Sequence, residues 1–218
     1  MKKLCIVVPY RDRAEHLSHF APHIEKTMKE QGIEYLLLIV EQTFTKPFNR
    51  AKLLNIGFDY TKGEYDYYCF HDVDMLPLES DYAYCPNPTH LASRAEQFEW
   101  RLPYDGYFGG VTIFDRESFK KINGYANEYW GWGAEDDDVF HRCRYKNVSL
   151  SRKNCSFRSL DHKRELDKVM YDRNLDKLRA FNESIDVNGE FKEGLSTLTY
   201  DIIDTYQQDN YTVIEVEI

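Results

Sequence analysis

The chain has no C-x-x-C pair, and its five cysteines (Cys5, Cys69, Cys85, Cys143, Cys155) are odd in number. Neither a zinc ribbon nor a complete disulfide framework is indicated. The reading is buried thiols in a reducing compartment, with Cys69–Cys85 the pairing open to a secreted chain. A basic excess is also missing. Lys and Arg total 28 against 37 Asp and Glu, for a net charge of -9, which argues against a nucleic-acid partner. Met1-Lys2-Lys3 begins like a signal peptide, but the apolar run that follows is only Leu4 to Val8, and Pro9, Arg11 and Arg13 come next. An h-region needs about 7–15 apolar residues and a bilayer span about 20. No membrane span is expected, and Leu4–Val8 reads as a buried first strand stopped by Pro9. Repeats, low-complexity segments and linkers are absent too, so residues 1–218 are expected to form one domain.

What is present is a folded, aromatic-rich composition, 42% hydrophobic and 15% aromatic. From Glu15 to Lys29, apolar residues at Leu17, Phe20, Ile24 and Met28 predict a helix, with Gly32 ending it. Tyr35–Val40 is a continuous apolar run suited to a buried parallel strand. Strand, helix and strand in this order predict an α/β layer fold, with ligands beyond the carboxyl ends of the strands. The Pro9–Arg13 loop is at such an end. It is either an ordinary solvated turn or, through its two arginines, a holder of phosphate or a nucleobase edge. Phe48-Asn49-Arg50 opens a second helix, capped by Asn49 and running through Phe58. Tyr67–Phe70 is a third strand, Thr112–Phe114 a fourth, and Arg116–Ile122 a helix ended by Asn123-Gly124. Helix is predicted over Asp137–Tyr145 and Arg164–Ile185, and strand over Val148–Ser151. Residues 79 to 103 read as an irregular excursion. Leu195–Ile203 and Tyr211–Ile218 alternate as a hairpin-like pair of edge strands.

Two stretches carry chemistry. His71-Asp72-Val73-Asp74 sets two carboxylates one residue apart just after a strand, on one side if the strand continues. Such oxygens suit a hard divalent cation, and a diphosphate wants that cation. Alone, D-x-D is weak; after a buried strand, with arginines at other strand ends, it points to a nucleotide-diphosphate site. Trp130-Gly131-Trp132-Gly133-Ala134-Glu135-Asp136-Asp137-Asp138 joins two indoles to four carboxylates. The plain alternative is an acidic turn leading into a helix. The indoles favour a sugar-binding loop, since their faces stack on sugars and carboxylates accept hydroxyl hydrogens. Tyr104 and Tyr107 could line a pocket, and Gly109-Gly110 permits close backbone approach.

These segments, with Pro9-Tyr10-Arg11-Asp12-Arg13, Phe48-Asn49-Arg50-Ala51-Lys52-Leu53, Tyr107-Phe108-Gly109-Gly110 and Gly194-Leu195-Ser196 near the end, resemble the β-1,4-galactosyltransferase family in family order. The resemblance implies a GT-A type α/β fold with a Rossmann-like mixed sheet flanked by helices, a UDP-galactose donor, a sugar acceptor and a manganese ion, with magnesium as the alternative. By position it implies that Pro9, Tyr10, Arg11, Arg13, Phe48, Arg50, Asp72 and Val73 hold uridine and ribose, and that Tyr107 and Gly110 contact the donor. Asp74 would ligate the metal. Trp132 would close over the donor on a mobile loop. Tyr104, Trp132, Glu135 and Asp136 would meet the acceptor, with Asp136 as the base. Tyr107 further implies galactose over N-acetylgalactosamine.

His71–Leu78 looks most like the branch that galactosylates xylose, and the acidic run more like the N-acetylglucosamine branch. The latter uses a methionine and, three residues on, a histidine as metal ligands, where this chain has Ser159 and His162. The xylose branch uses His-x-His, where this chain has Ser159 and Asp161. The ligand set expected here is therefore Asp74, His162 and Asp161, with weaker or less selective binding. With no anchor, the chain is expected to be cytoplasmic, or Golgi-lumenal if it is a trimmed form. Two other readings stay open: the same fold using UDP-N-acetylgalactosamine or UDP-glucose, and a non-catalytic sugar-binding module.

Overall fold

The computed structural model describes residues 2–62, 64–161 and 166–218. The first half runs β1 (Leu4–Tyr10), α1 (Ala14–Gln31), β2 (Tyr35–Gln42), α2 (Arg50–Tyr60), β3 (Tyr67–His71) and β4 (Met75–Glu79). Two short strands follow, β5 (Thr89–His90) and β6 (Arg94–Ala95), then β7 (Val111–Asp115) and α3 (Arg116–Lys121). The rest is α4 (Glu135–Tyr145), β8 (Ser151–Arg152), β9 (Ser156–Ser159), α5 (Lys168–Arg179), β10 (Asp201–Gln207) and β11 (Thr212–Glu217).

Eight strands form one mixed sheet in the order β10-β11-β2-β1-β3-β7-β5-β8, and β4-β9-β6 form a second, small one. The centre is parallel: β1 pairs with β2 and β3, and β2 with β11. Alternation along β1 supplies both layers of core. Leu4, Ile6 and Val8 pack with Leu17, Phe20, Ile24 and Met28 of α1 and with Met75 and Phe157 of the small sheet. Cys5 and Val7 point the other way, toward Leu53, Leu54 and Ile56 of α2, Phe119 of α3 and Val139 of α4.

The α1, β2, α2, β3 and α3 assignments hold to within two residues, and Gly32 (φ 64) closes α1 as expected. Several others are corrected. Pro9 does not stop β1; it pairs with Val40 and the strand runs on to Tyr10. The last β1–β3 pair is Val7–Phe70, so Pro9 lies where the strand has a neighbour on one side only, and its missing N–H costs no ladder bond. The strand β3 ends at His71, and Val73-Asp74 form a turn, so Asp72 and Asp74 are not alternate residues of one strand. Helix α4 starts at Glu135 rather than Asp137, which puts all four acids in its first turn. Of the predicted helix 164–185, Lys168–Arg179 is α-helical and Phe181–Ser184 a 3-10 turn. The predicted strand at 148–151 survives only as Ser151–Arg152. The last two strands form an antiparallel hairpin, but the first is shifted to Asp201–Gln207 with Leu195–Thr197 a 3-10 turn, and β11 is inserted beside β2 so that only β10 is an edge. The cysteines are all free thiols.

Packing is tight where α2 crosses β1. A Cβ placed on Gly57 would lie 2.2 Å from a Val7 methyl carbon. Gly57→Ala is therefore expected to destabilise the fold by about 1–3 kcal/mol, seen as a lower urea midpoint with unchanged slope. An unmoved midpoint would mean that Val7 gives way.

Candidate active site

Three parallel strand ends and one helix start converge. At the end of β1, the Arg11 guanidinium donates to the Lys46 carbonyl at 2.8 Å and lies over the rings of Phe44 and Phe48. Tyr10 is buried, and Arg13 occupies the N-cap position of α1. The loop after β2 leads into α2, where Asn49 accepts a hydrogen bond from the Lys52 N–H. The Asn49 side-chain amide donates to the Asn127 carbonyl, and Asn55 donates to the Asn127 side chain. This buried amide network fixes the start of α2 against the turn before the tryptophans.

Arg50 is thereby held over the end of β3. Its Nε donates to Asp72 at 2.6 Å and its Nη1 to Asp136 at 2.8 Å, with Glu135 at 3.7 Å. One guanidinium joins the D-x-D segment to the acidic run, two segments 64 residues apart by residue number (136 − 72). Burial alone would lower the Arg50 pKa; Asp136 and Asp72 outweigh it and raise it. Burial raises Asp136 well above the ordinary carboxylate range; Arg50 pulls it down, while Glu135, Asp72 and Asp137 push it further up. Glu135 is raised too, by burial first, against Arg50.

The four acids thus have separate fates. Glu135 and Asp136 face Arg50. Asp137 accepts the Tyr104 hydroxyl at 2.8 Å. Asp138 turns into the core and accepts from Arg142 at 2.7 Å, both residues being buried. Asp138 is therefore a structural ion pair, and only the first three acids line the cleft. Gly109 sits directly against Asp136: a Cβ there would be 2.2 Å from its Oδ2 and 2.9 Å from the Tyr107 hydroxyl oxygen. The Asp72 N–H donates to the Gly110 carbonyl at 3.0 Å. Tyr107, Gly110, Asp72 and Asp136 are thus brought together, with Val73 buried beside them.

Trp132 is 56% exposed and stacks on Tyr171 of α5 at 5.5 Å. The Asn174 side-chain amide donates to the carbonyls of Trp130 and Trp132, and the Gly131 N–H donates to the Phe48 carbonyl at 2.7 Å. Cβ atoms on Gly131 and Gly133 would strike Met170 and Tyr171. Met170 is an apolar mark of the predicted helix, but nothing in its charged sequence singles out Tyr171 and Asn174 as the face that meets a loop some forty residues away. Asp161 is exposed. The Leu160 N–H donates to the Asp74 carbonyl at 2.8 Å, so the end of β9 adjoins the turn carrying Asp74. Ser159 is engaged elsewhere, accepting from the Gln97 N–H and contacting the Met75 sulfur. His162 lies outside the described residues. Among the described residues no three His, Cys, Asp or Glu side chains group as a metal site.

Arg50→Met would leave Asp72, Glu135 and Asp136 without their shared cation, a loss of about 3–5 kcal/mol. Groups whose folded pKa is raised favour folding at low pH and lose that advantage as pH rises through it. Removing Arg50 raises them further, so the stability gap to wild type should widen between about pH 5 and about pH 8. Urea midpoints at the two pH values check this; equal gaps would mean that Arg50 acts by packing alone.

Residues 1–86 match the family model described as "N-terminal region of glycosyl transferase group 7", and residues 89–165 the one described as "N-terminal domain of galactosyltransferase". Human β-1,4-galactosyltransferase 1 is 36% identical over 223 residues, 99% of this chain and 55% of that protein. The chain spans about half the length of the curated relatives it matches. The catalytic domain of Drosophila β1,4-galactosyltransferase 7 in complex with xylobiose superposes with a TM-score of 0.86 at 31% identity, covering 100% of this chain and 94% of that one. A mutant of the same Drosophila enzyme, in complex with manganese, UDP-Gal and xylobiose, gives a TM-score of 0.80 at 28% identity over the same shares. A likeness this close in both sequence and fold, running the length of a solved catalytic domain, makes the chain a member of the β-1,4-galactosyltransferase family with its GT-A fold.

Proposed function

We propose that residues 1–218 act as a single catalytic domain that moves galactose from UDP-galactose to a sugar hydroxyl, with inversion, to form a β-1,4 linkage. The observation that carries this reading is the Arg50 bridge, which ties the carboxylate of Asp136 to Asp72 of the D-x-D segment. A donor diphosphate near β3 and an acceptor hydroxyl near α4 would then meet from opposite sides.

In this reading Pro9, Tyr10, Arg11, Arg13, Phe48, Asp72 and Val73 bind the uridine end, and Tyr107 and Gly110 the galactose. Tyr104, Trp132, Glu135 and Asp136 hold the acceptor, whose class is a xylose- or N-acetylglucosamine-like sugar. The raised pKa of Asp136 suits a general base. Asp136 takes the acceptor hydroxyl's proton as that oxygen attacks the anomeric carbon. The bond from that carbon to the UDP oxygen breaks on the far side, the carbon being oxocarbenium-like in between, as in glycosidases. Arg50 and Arg11 supply positive charge near the departing diphosphate.

A manganese ion, present in the Drosophila complex, would neutralise that diphosphate, with magnesium as the alternative. By type the donors on this chain suit a hard cation: Asp74 and Asp161 are carboxylates, the Leu160 N–H bonds the Asp74 carbonyl one residue before Asp161, and Ser159 is committed elsewhere. His162 is the third ligand in this reading. No helix among the described residues is long and apolar enough to cross a membrane. For location, free thiols favour a reducing cytoplasm, and the Golgi lumen is the alternative for a trimmed form.

Asp136→Asn should lower turnover on the order of 10²–10⁴-fold and leave UDP binding intact, measured by UDP release and calorimetry. Undiminished turnover would remove Asp136 as the base. Asp74→Ala should weaken manganese binding in calorimetry; unchanged affinity would remove the metal assignment.

A further inference from the structure

The segment Tyr107–Gly110 touches both halves of the site and leads directly into β7. Its position comes from two residues outside the site already described. His90 of β5 is fully buried, and its Nε2 lies 2.9 Å from the Gly109 carbonyl oxygen. Arg152 of β8 donates from Nε to His90 Nδ1 at 3.1 Å. A guanidinium can only donate, so Nδ1 accepts, and the ring proton sits on Nε2 and is given to Gly109. Burial, with Arg152 adding to it, pushes the His90 pKa down to about 4, which keeps this neutral tautomer. The other arm of Arg152 donates from Nη2 to the Tyr107 carbonyl at 2.7 Å and the Asp105 carbonyl at 3.2 Å. Imidazole and guanidinium thus grip both ends of the bend that presents the Tyr107 ring and the Gly109 backbone.

We propose that His90 and Arg152 are positioning residues for the transfer reaction, a brace that sets where Tyr107 meets the donor sugar and where Gly109 meets Asp136. The inference rests on the galactosyltransferase reading above. A buried histidine bonded at both nitrogens is more often an ordinary core residue. Here the carbonyl it holds belongs to a glycine with no room to move toward Asp136. The ring also packs edge-on against Tyr107 at 5.4 Å, so a shift of the brace passes directly to the residue that faces the donor. Slack of about 1 Å at such a place costs on the order of 10²-fold in rate.

Arg152 is exposed, so Arg152→Ala should fold with little change in thermal midpoint. Its turnover with UDP-galactose should fall on the order of tenfold or more. The ratio of UDP-N-acetylgalactosamine to UDP-galactose use should rise severalfold, the direction expected of Tyr107→Leu. His90→Gln can still donate one amide hydrogen and accept one, and should keep the wild-type ratio; His90→Phe should not. A donor ratio unmoved in Arg152→Ala, or equal losses for both donors together with a lowered midpoint, would overturn the brace while leaving the transferase reading intact. A wild-type chain that releases UDP from neither donor would overturn the transferase reading, and the brace with it.

Discussion

A guanidinium shared among carboxylates is the constraint around which this molecule is built. Arg50 meets Asp72 and Asp136 through separate nitrogens, with Glu135 behind. Without that cation, three acids in a largely dry cleft would repel one another, and the neutral form would win for at least one of them. With it, the end of β3 and the start of α4 are tied to a single point. Other features follow from keeping that point fixed. The asparagine network holds the start of α2, Gly109 makes room for the Asp136 carboxylate, and Arg142, paired with Asp138 in the same helix, anchors α4 by donating to the Gly124 and Glu193 carbonyls.

The balance at Asp136 also bears on the proposed reaction. Burial favours its protonated form and Arg50 its charged form. If Asp136 is the base, burial would strengthen it relative to an exposed aspartate, and Arg50 would favour the ionised form that takes the proton. The same residue holds the architecture and, in the proposed reaction, would serve the chemistry, so the acidic run does not split into structural and chemical halves along the sequence. The division runs through it residue by residue, with Asp138 on one side and Glu135 to Asp137 on the other.

Much of the central sheet was legible because its periodicity is local. Leu17, Phe20, Ile24 and Met28 mark one face of α1, and the unbroken apolar runs of β1, β2 and β3 mark strands covered on both sides. The small sheet was not legible. Its strands are short, β4 carries Pro77, and β9 is defined by pairing with β4 and β6, each some sixty to eighty residues earlier. The insertion of β11 beside β2 was likewise invisible, since an alternating strand reads alike whether it is an edge or an interior strand with one covered face. In the site, the residue types and their order pointed to the cleft, but the partners of each acid did not. Which of four consecutive carboxylates meets Arg50, Tyr104 or Arg142 depends on a helix starting two residues earlier than its apolar pattern implied.

The Trp132 indole rests face to face on the Tyr171 phenol, more than half exposed. An aromatic pair of this kind contributes about 0.5–1.5 kcal/mol beyond its buried area. To cover a hexose, the indole must leave one flat neighbour for another, so closing is an exchange and not a gain from nothing. If Trp132 closes over the sugar as proposed, the resting stack would act as a threshold. A small molecule with too little surface to replace the phenol would then leave the indole on Tyr171, and only a ligand of adequate size would draw it away.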